Sequence, residues 1–169
     1  HLFNYPEFHY IRGDVRNFET PSGKFTHLIH AATDVSAHLN EISPLRIFDT
    51  VLQGTRRVLD FAVEKAVDRM LFLSSGAVYG QQPWEMEKVA EDWIGSPGCT
   101  DSRAVYAEGK RAAEMLCTIY KKQFGIKIAI ARIFTLLGPY LSLDIHFAAG
   151  NFIRDAIQGK PVVINGNGL

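Results

Sequence analysis

The sequence lacks an excess of charge of either sign: 18 Lys and Arg residues are balanced by 18 Asp and Glu residues. Proteins dedicated to nucleic-acid binding usually carry a basic excess or stripe, so this balance argues against that class. No apolar run approaches the ~18 residues that a membrane-spanning helix needs. No segment has the pattern of a secretory signal peptide. We therefore expect neither a nucleic-acid partner nor a membrane partner.

Cysteine is scarce as well. Only Cys99 and Cys117 occur, and their spacing does not form the ligand cluster of a metal site. A reducing, cytoplasmic compartment is the default prediction for such a chain. Hydrophobic residues make up 47% of the 169 residues, which is typical of a globular domain with a core and argues against disorder.

Segments with the patterns of strands and helices alternate along the chain. Short apolar runs predict strands over 8–12, 24–33, 69–75, 126–134 and 160–165. Apolar residues at helical spacing predict helices over 44–67, 103–124 and 144–159. Residues 80–101 have no sustained period and predict a long loop, which in a compact domain is usually functional. Apolar strands joined by helical crossovers predict an α/β fold with a parallel sheet covered on both faces.

The strand ends of such a sheet carry small or polar residues. In a doubly wound sheet, ligands bind at the carboxyl ends of the strands, where small residues let a ligand approach the backbone. The four ends are 13–15, 31–33, 74–76 and 134–135, and we expect them to line a site. A serine there can bond a substrate oxygen, although a turn serine is the simpler interpretation of Ser74 or Ser75 alone. The segment lacks the Gly-x-Ser-x-Gly pattern of a serine hydrolase.

Tyr106 and Lys110 lie four residues apart on the predicted helix 103–124 and so share one of its faces. A lysine ammonium near a phenol favours the phenolate, which lets the tyrosine act as a general acid or base near neutral pH. Chance supplies about 0.3 such pairs in a chain with this many tyrosines and lysines, so the pair alone is a weak motif. An exposed helix face is the simpler interpretation of an isolated pair.

Seven motifs taken in order are more specific. They are GDVR, HLIHAAT, QGTRRVLDFA, FLSSGAVYG, YAEGK, ARIFTLLGP and FIRDAIQGKPVVINGNG. In order and spacing they resemble the extended short-chain dehydrogenase/reductase family, the NAD-dependent nucleotide-sugar epimerases and dehydratases, over nearly the whole chain. The resemblance implies a Rossmann-type, doubly wound parallel sheet. It implies a partial dinucleotide-binding domain over 1–159 and the start of a substrate-binding region over 160–169.

The resemblance also implies a catalytic set. Tyr106 would be the acid/base, Lys110 would bind the nicotinamide ribose and lower the pKa of the tyrosine, and Ser75 would bond the reacting sugar oxygen. The cofactor would be NAD, with NADP as an alternative, and the substrate a nucleotide sugar. A homodimer would form through helices 44–67 and 103–124.

Further residues would contact the two ligands. Asp14 and Val15 would meet the adenine, and Thr135 would take the place of an asparagine that contacts the substrate phosphates. The remaining predicted cofactor contacts, beneath the pyrophosphate and ribose or beside the nicotinamide, are Ala31, Ala32, Thr33, Ser74 and Phe134.

Two neighbouring positions separate the subclasses of the family. Dehydratases place an Asp-Glu pair directly after the Ser75 position, and the related sugar-acid decarboxylases place a glutamate there. Here Gly76 and Ala77 occupy it, and neither side chain titrates. This favours an epimerase acting on the sugar 4-OH, with a 4-keto reductase or a dehydratase as alternatives.

One family feature is missing. The glycine-rich turn that binds the cofactor pyrophosphate does not occur in this sequence. In the strand order 3-2-1-4-5-6 the strand over 8–12 would be third and that over 25–31 fourth. We therefore expect a segment that lacks the first βαβ unit and most of the substrate domain, and that alone binds NAD weakly. The alternative is a non-catalytic fragment that serves as a binding or dimerising module.

Overall fold

The computed structural model describes residues 5–33, 42–144 and 148–164. The chain divides into two compact units, His1–Phe134 and Thr135–Leu169. The predicted boundary at residue 159 separates a cofactor-binding part from a substrate-binding part. It is a boundary of ligand binding and not of compactness, and it stays a prediction.

The first unit is built on a three-stranded parallel sheet. Its strands are β1 (His27–His30), β2 (Arg69–Ser75) and β3 (Lys127–Ile133), and they lie in the order β1-β2-β3. Residue His30 pairs with Phe72, and Ser75 pairs with Ile133. The predicted parallel sheet is confirmed, although β1 is shorter than the predicted strand over 24–33.

Two long helices connect these strands. Helix α1 (Pro44–Glu64) begins with a proline, whose missing N–H would have had no partner in the first turn of a helix. Helix α2 (Val105–Phe124) ends at Gly125, whose φ of 74° is in the left-handed region that favours glycine. Short 3-10 turns over Gly76–Tyr79 and Ser102–Ala104 bound the predicted long loop, which contains no helix or strand over 80–101.

The core lies between the two helices and one face of the sheet. Alternation along β2 turns Met70 and Phe72 toward the helices. The other buried core side chains come from α1, α2, β3 and the turns that precede β2 and β3: Ile47, Val51, Val58, Leu59, Ala62, Val67, Ala113, Cys117, Tyr120, Ile126 and Ile128. Burial of these side chains, at about 1.5–3 kcal/mol for each large one, is the main force that holds α1 and α2 on the sheet.

Among the described residues of this unit, helices cover one face of the sheet rather than both. Ile29, on the opposite face of β1, is 67% exposed. Right-handed crossovers that run in one direction across a sheet place their helices on the same side. Because β1, β2 and β3 follow one another in that way, α1 and α2 share a face.

Two predicted strands are wrong. Residues 8–12 are irregular, with Tyr10 and Ile11 exposed, and residues 160–164 also form no strand; residue 165 lies outside the described residues. Apolar alternation is a sufficient signal only when a neighbouring strand supplies hydrogen bonds. In the described residues neither segment pairs with another strand.

The second unit contains helix α3 (Ala148–Ile157), inside the predicted range 144–159, of which 145–147 lie outside the described residues. The helix ends at Ile157, two residues before the predicted end at Gly159, and the turn that follows contains Gly159, which has a φ of 64° and donates its N–H to the Ala156 carbonyl. In the described ranges no helix has the length and apolar character required to cross a bilayer.

Candidate active site

The carboxyl ends of the three strands meet at one edge of the first unit. Parallel pairing of β1 with β2 and of β2 with β3 brings the segments after these strands to the same edge. These segments carry Ala31–Thr33 after β1, Ser74–Ser75 at the end of β2 and Phe134 after β3. The predicted clustering of these strand ends is therefore present within this unit.

Lys110 is directed from α2 onto the end of β2. Its Nζ donates a hydrogen bond to the carbonyl oxygen of Leu73 at 2.8 Å and lies 4.9 Å from the centre of the Phe72 ring. The side chain is only 3% exposed. Burial lowers the pKa of Lys110 to about 8, and the carboxylate of Glu114, one turn along α2, acts in the opposite direction. The lysine is a buried, desolvated cation and not part of an exposed helix face.

Tyr106 lies in the first turn of α2 on the same side as Lys110. Its ring is half-buried and packs against the core, and its centre is 5.9 Å from Lys110 Nζ. In this range an ammonium is attracted to the face of an aromatic ring. No described hydrogen bond joins the Tyr106 hydroxyl to Lys110 or to Ser75. The structure thus brings the tyrosine and the lysine together as neighbours in packing.

The two serines at the end of β2 have different partners. The Ser75 hydroxyl oxygen accepts a hydrogen bond from the backbone N–H of Ala77 at 3.2 Å and caps the following 3-10 turn. Its own proton takes no part in that bond. Ser74 is buried, and its hydroxyl donates to a carboxylate oxygen of Glu114 at 2.6 Å. Ser75 therefore caps a turn, which was the simpler interpretation of this serine, and its hydroxyl proton is still available to donate a hydrogen bond.

The Glu114–Arg132 ion pair is a feature that sequence reasoning missed. The guanidinium Nη2 of Arg132 lies 2.8 Å from Glu114 Oε2, and its Nε donates to Oε1 at 3.0 Å. The third nitrogen donates to the carbonyl of Glu91 at 2.8 Å. Hydrogen bonds to the carboxylate raise the pKa of Arg132 above its usual value. An arginine inside an apolar strand was the available signal, because a buried charge needs a partner.

Aromatic packing completes the β3 side of the edge. The rings of Tyr79 and Phe134 are stacked, with centres 6.1 Å apart, and the Arg132 guanidinium lies 4.7 Å from the centre of the Tyr79 ring. The Phe134 ring also lies against Gly76. A Cβ at residue 76 would be 2.6 Å from two carbons of that ring, so any side chain there would displace Phe134.

The β1 side of the edge contains an unpaired hydroxyl. Thr33 Oγ1 is buried and has no hydrogen-bond partner among the described residues. Ala31 and Ala32 beside it are exposed. A buried donor without a partner is costly, so this position fits a ligand that supplies a hydrogen bond.

A second unpredicted pair lies beneath this side. His30 is buried at the end of β1, and its Nε2 is 3.0 Å from the Thr55 hydroxyl on α1. Burial, followed by the positive charge of Lys110, lowers the pKa of His30 to about 4, so the ring is neutral at pH 7. The two residues are 25 positions apart, and neither has a local pattern that marks the contact.

Asp14 and Val15 stand in the irregular segment before β1. The Asp14 carboxylate bonds the backbone and the guanidinium of Arg16, and these hydrogen bonds lower the pKa of Asp14 to about 2. Val15 packs on α1 at Gly54, where a Cβ would be 2.7 Å from a Val15 methyl. Thr135 is exposed and belongs to the second compact unit. The ligand contacts predicted for these three residues stay predictions.

Comparison with known proteins gives consistent matches. A sequence model of the NAD dependent epimerase/dehydratase family matches residues 9–169. UDP-glucuronic acid decarboxylase 1 of Xenopus tropicalis is 31% identical over 168 residues, and the Arabidopsis thaliana protein of the same name is 33% identical. Both alignments cover 99% of this chain, which spans 39% and 38% of the lengths of those two relatives.

Solved structures agree on the fold. UDP-glucuronic acid 4-epimerase from Bacillus cereus, in complex with NAD, superposes with a TM-score of 0.78 at 26% identity and covers 99% of this chain and 51% of its own. UDP-glucose 4-epimerase from Thermus thermophilus, also in complex with NAD, gives a TM-score of 0.69 at 28% identity over 82% of this chain and 43% of its own.

Proposed function

Because the chain belongs to the NAD dependent epimerase/dehydratase family, we propose that the full-length protein is an epimerase of nucleotide sugars. It oxidises one sugar hydroxyl, the 4-OH, to a transient ketone and reduces the ketone from the opposite face. The chain spans less than half the length of the relatives it matches in sequence, so this proposal concerns the whole protein that contains the chain.

The observation that carries the proposal is the burial of Lys110 beside Tyr106 at the end of β2. A lysine that is 3% exposed and bonded to a strand carbonyl costs stability, and such a cost is typical of a functional site. The resemblance of YAEGK to the family motif supplies the roles. Tyr106 takes the proton from the sugar hydroxyl and later returns it, and the Lys110 ammonium lies 5.9 Å from the centre of its ring.

Ser75 has the third role. Its hydroxyl oxygen accepts a hydrogen bond from the Ala77 N–H. Among the described residues, the Ser75 hydroxyl proton has no protein acceptor. In the proposal that proton is donated to the reacting sugar oxygen, which fixes the oxygen beside Tyr106. Fixing the reacting atom in this way is the proximity contribution to catalysis.

The residues of the β1 edge fit a dinucleotide. The unpaired Thr33 hydroxyl and the exposed Ala31 and Ala32 would meet its ribose and pyrophosphate, and Phe134 would border the nicotinamide. NAD, or NADP as the alternative, accepts and returns the hydride when bound. Lys110 would hold the nicotinamide ribose.

Gly76 favours epimerisation over elimination or decarboxylation. The resemblance leads us to expect an acidic residue there in a dehydratase or decarboxylase, whereas here a side chain would displace the ring of Phe134. No titratable group is available at residues 76 and 77 for the loss of water. A 4-keto reductase is the second candidate, because it needs the same Ser75, Tyr106 and Lys110 and no acidic residue.

We also propose a homodimer formed through α1 and α2. Met115 and Ile119 on α2 are exposed large apolar side chains, which a partner would cover. The non-catalytic alternative, a dimerising module, needs the same surface but predicts no turnover.

The test is a screen of the full-length protein with NAD against a panel of nucleotide sugars, with product stereochemistry read by NMR. Tyr106→Phe should lower turnover by about 10²–10⁴-fold while cofactor affinity changes little. Tyr120→Phe is a matched control. It also removes a phenol hydroxyl from α2, but that hydroxyl donates to the Asp60 carboxylate and has no proposed catalytic role. Retention of more than a few per cent of the rate in Tyr106→Phe, or the absence of any epimer from wild type, would overturn the proposal.

A further inference from the structure

We infer that Glu114 and Arg132 are positioning residues, which hold the end of β2 and part of the 80–101 loop in a fixed relation to Tyr106 and Lys110 on α2. The catalytic part of this inference rests on the proposed function. The positioning part rests on contacts within the first compact unit alone.

Two links join α2 to adjacent residues of β2. Lys110 Nζ donates to the Leu73 carbonyl, and the buried hydroxyl of Ser74 donates to Glu114 Oε1 at 2.6 Å. Lys110 and Glu114 are one helical turn apart, so the links come from the same face of the helix. Ser75 follows Ser74 directly. The Glu114 link therefore restrains the strand segment that presents Ser75, independently of the lysine.

Arg132 fixes the second side of Glu114. Two of its nitrogens bond the carboxylate in a forked arrangement, which limits rotation of the glutamate as well as adding attraction. A carboxylate with only the Ser74 hydroxyl as a partner would be free to turn away. The forked contact explains why this position on β3, within the apolar run that follows Lys127, carries an arginine.

The same arginine reaches the loop. Its Nη1 donates to the Glu91 carbonyl at 2.8 Å. Four residues further on, the Gly95 carbonyl accepts a hydrogen bond from Arg111 of α2 at 2.8 Å. The loop segment 91–95 is thus hydrogen-bonded at both ends. Arg111, at one end, belongs to α2, and Arg132, at the other, contacts Glu114 of α2. Strand end, loop and catalytic helix form one hydrogen-bonded unit around Glu114.

The test uses the full-length protein and two substitutions of different severity. Ser74→Ala removes only the link to the strand and leaves the ion pair intact. Arg132→Lys keeps the charge but cannot make the fork and the Glu91 contact together. Thr118→Ala is the matched control: it removes a hydroxyl from the exposed side of α2 that bonds the backbone carbonyl of Glu114 rather than its carboxylate.

Hydrogen–deuterium exchange of the ligand-free protein gives the first readout. We expect faster exchange than in the control over residues 73–77 in Ser74→Ala, and over 91–95 in Arg132→Lys. The second readout is steady-state kinetics, in which Ser74→Ala should lower kcat by about tenfold or more with little change in KM, because a small misplacement affects the transition state and not uniform binding.

The outcomes are separable. Exchange in both variants equal to that of Thr118→Ala overturns the inference, whatever the activity. Faster exchange with unchanged kcat in an active enzyme overturns the catalytic part, because the ordered segments would then not position the reacting groups. A wild-type protein that turns over no nucleotide sugar defeats the proposed function, while the exchange data still decide whether Glu114 and Arg132 hold these segments. If Arg132→Lys fails to fold, the Ser74→Ala data decide the strand link.

Discussion

Replacement of Lys110 by methionine tests the cost of the buried lysine. Methionine has a similar length and a flexible apolar side chain, so it fills the same space without a charge. We expect the Lys110→Met protein to be inactive yet more stable than wild type near pH 7. The gain in stability should disappear as the pH rises.

The magnitude follows from the shift in the pKa of Lys110 from 10.5 to about 8. Between these two values the unfolded chain keeps a proton on Lys110 that the folded protein has lost, so the contribution of Lys110 to wild-type stability rises with pH across this window. Each pH unit contributes about 1.4 kcal/mol, which gives about 3 kcal/mol over the window. Below pH 8 the full cost is present. The variant should gain up to about 3 kcal/mol there, less the contribution of the lost bond to the Leu73 carbonyl.

The assay is urea unfolding of wild type and variant at intervals from about pH 7 to about pH 11, followed by circular dichroism. The shift in the pKa of His30, from 6.5 to about 4, acts below this range. Burial raises the pKa of both Cys117 and Tyr120 to about 12, which lowers stability at high pH, but both groups are present in wild type and variant, so the difference between the two proteins isolates Lys110. Lys122→Met, an exposed lysine on the same helix, is the control and should follow the wild-type curve. A stability difference between Lys110→Met and wild type that stays constant with pH would refute the argument that desolvation dominates the environment of Lys110.

Two further predictions concern stability. Between pH 6.5 and about pH 4, His30 becomes protonated in the unfolded chain but stays neutral in the folded protein. The free energy of unfolding of wild type should therefore fall by about 3 kcal/mol as the pH falls through this range. His30→Gln should lose less, as measured by an acid titration of ellipticity. Gly54→Ala gains about 1 kcal/mol of helix propensity, but its Cβ would lie 2.7 Å from a Val15 methyl, an overpacking cost of about 1–3 kcal/mol. Adding Val15→Ala should make the alanine at residue 54 stabilising, and additive free energies of unfolding in this double-mutant cycle would contradict the contact.

The sequence was sufficient for the elements that carry their own signal. The apolar run over 69–75 and the helical periods of 44–67 and 103–124 predict β2, α1 and α2 nearly to their ends, because burial against a common core imposes those patterns. The strand predicted over 8–12 failed because a strand also depends on a neighbour. That requirement is not local, and no described strand lies beside this segment.

The candidate site shows the same division. Spacing alone pairs Tyr106 with Lys110, since four residues on a helix define one face. The burial of Lys110 and its bond to Leu73 join residues 37 positions apart and could not be read from either segment. The contact of Glu114 with Arg132 was missed for the same reason, although the charge within an apolar strand was visible.

The way the 80–101 loop is held has a consequence for its evolution. Arg132 and Arg111 bond main-chain carbonyls at residues 91 and 95. At residue 91 the carbonyl is present whatever side chain the position carries, whereas at residue 95 a Cβ would lie 2.1 Å from the Tyr79 carbonyl oxygen, so this path needs glycine there. Replacement of Glu91 would therefore leave its anchor in place. The outward-facing Trp84 and Ile94, which are 87% and 97% exposed, likewise contribute little to the path of the loop. Related proteins can thus vary the chemistry that this loop presents while its backbone keeps the same attachment points.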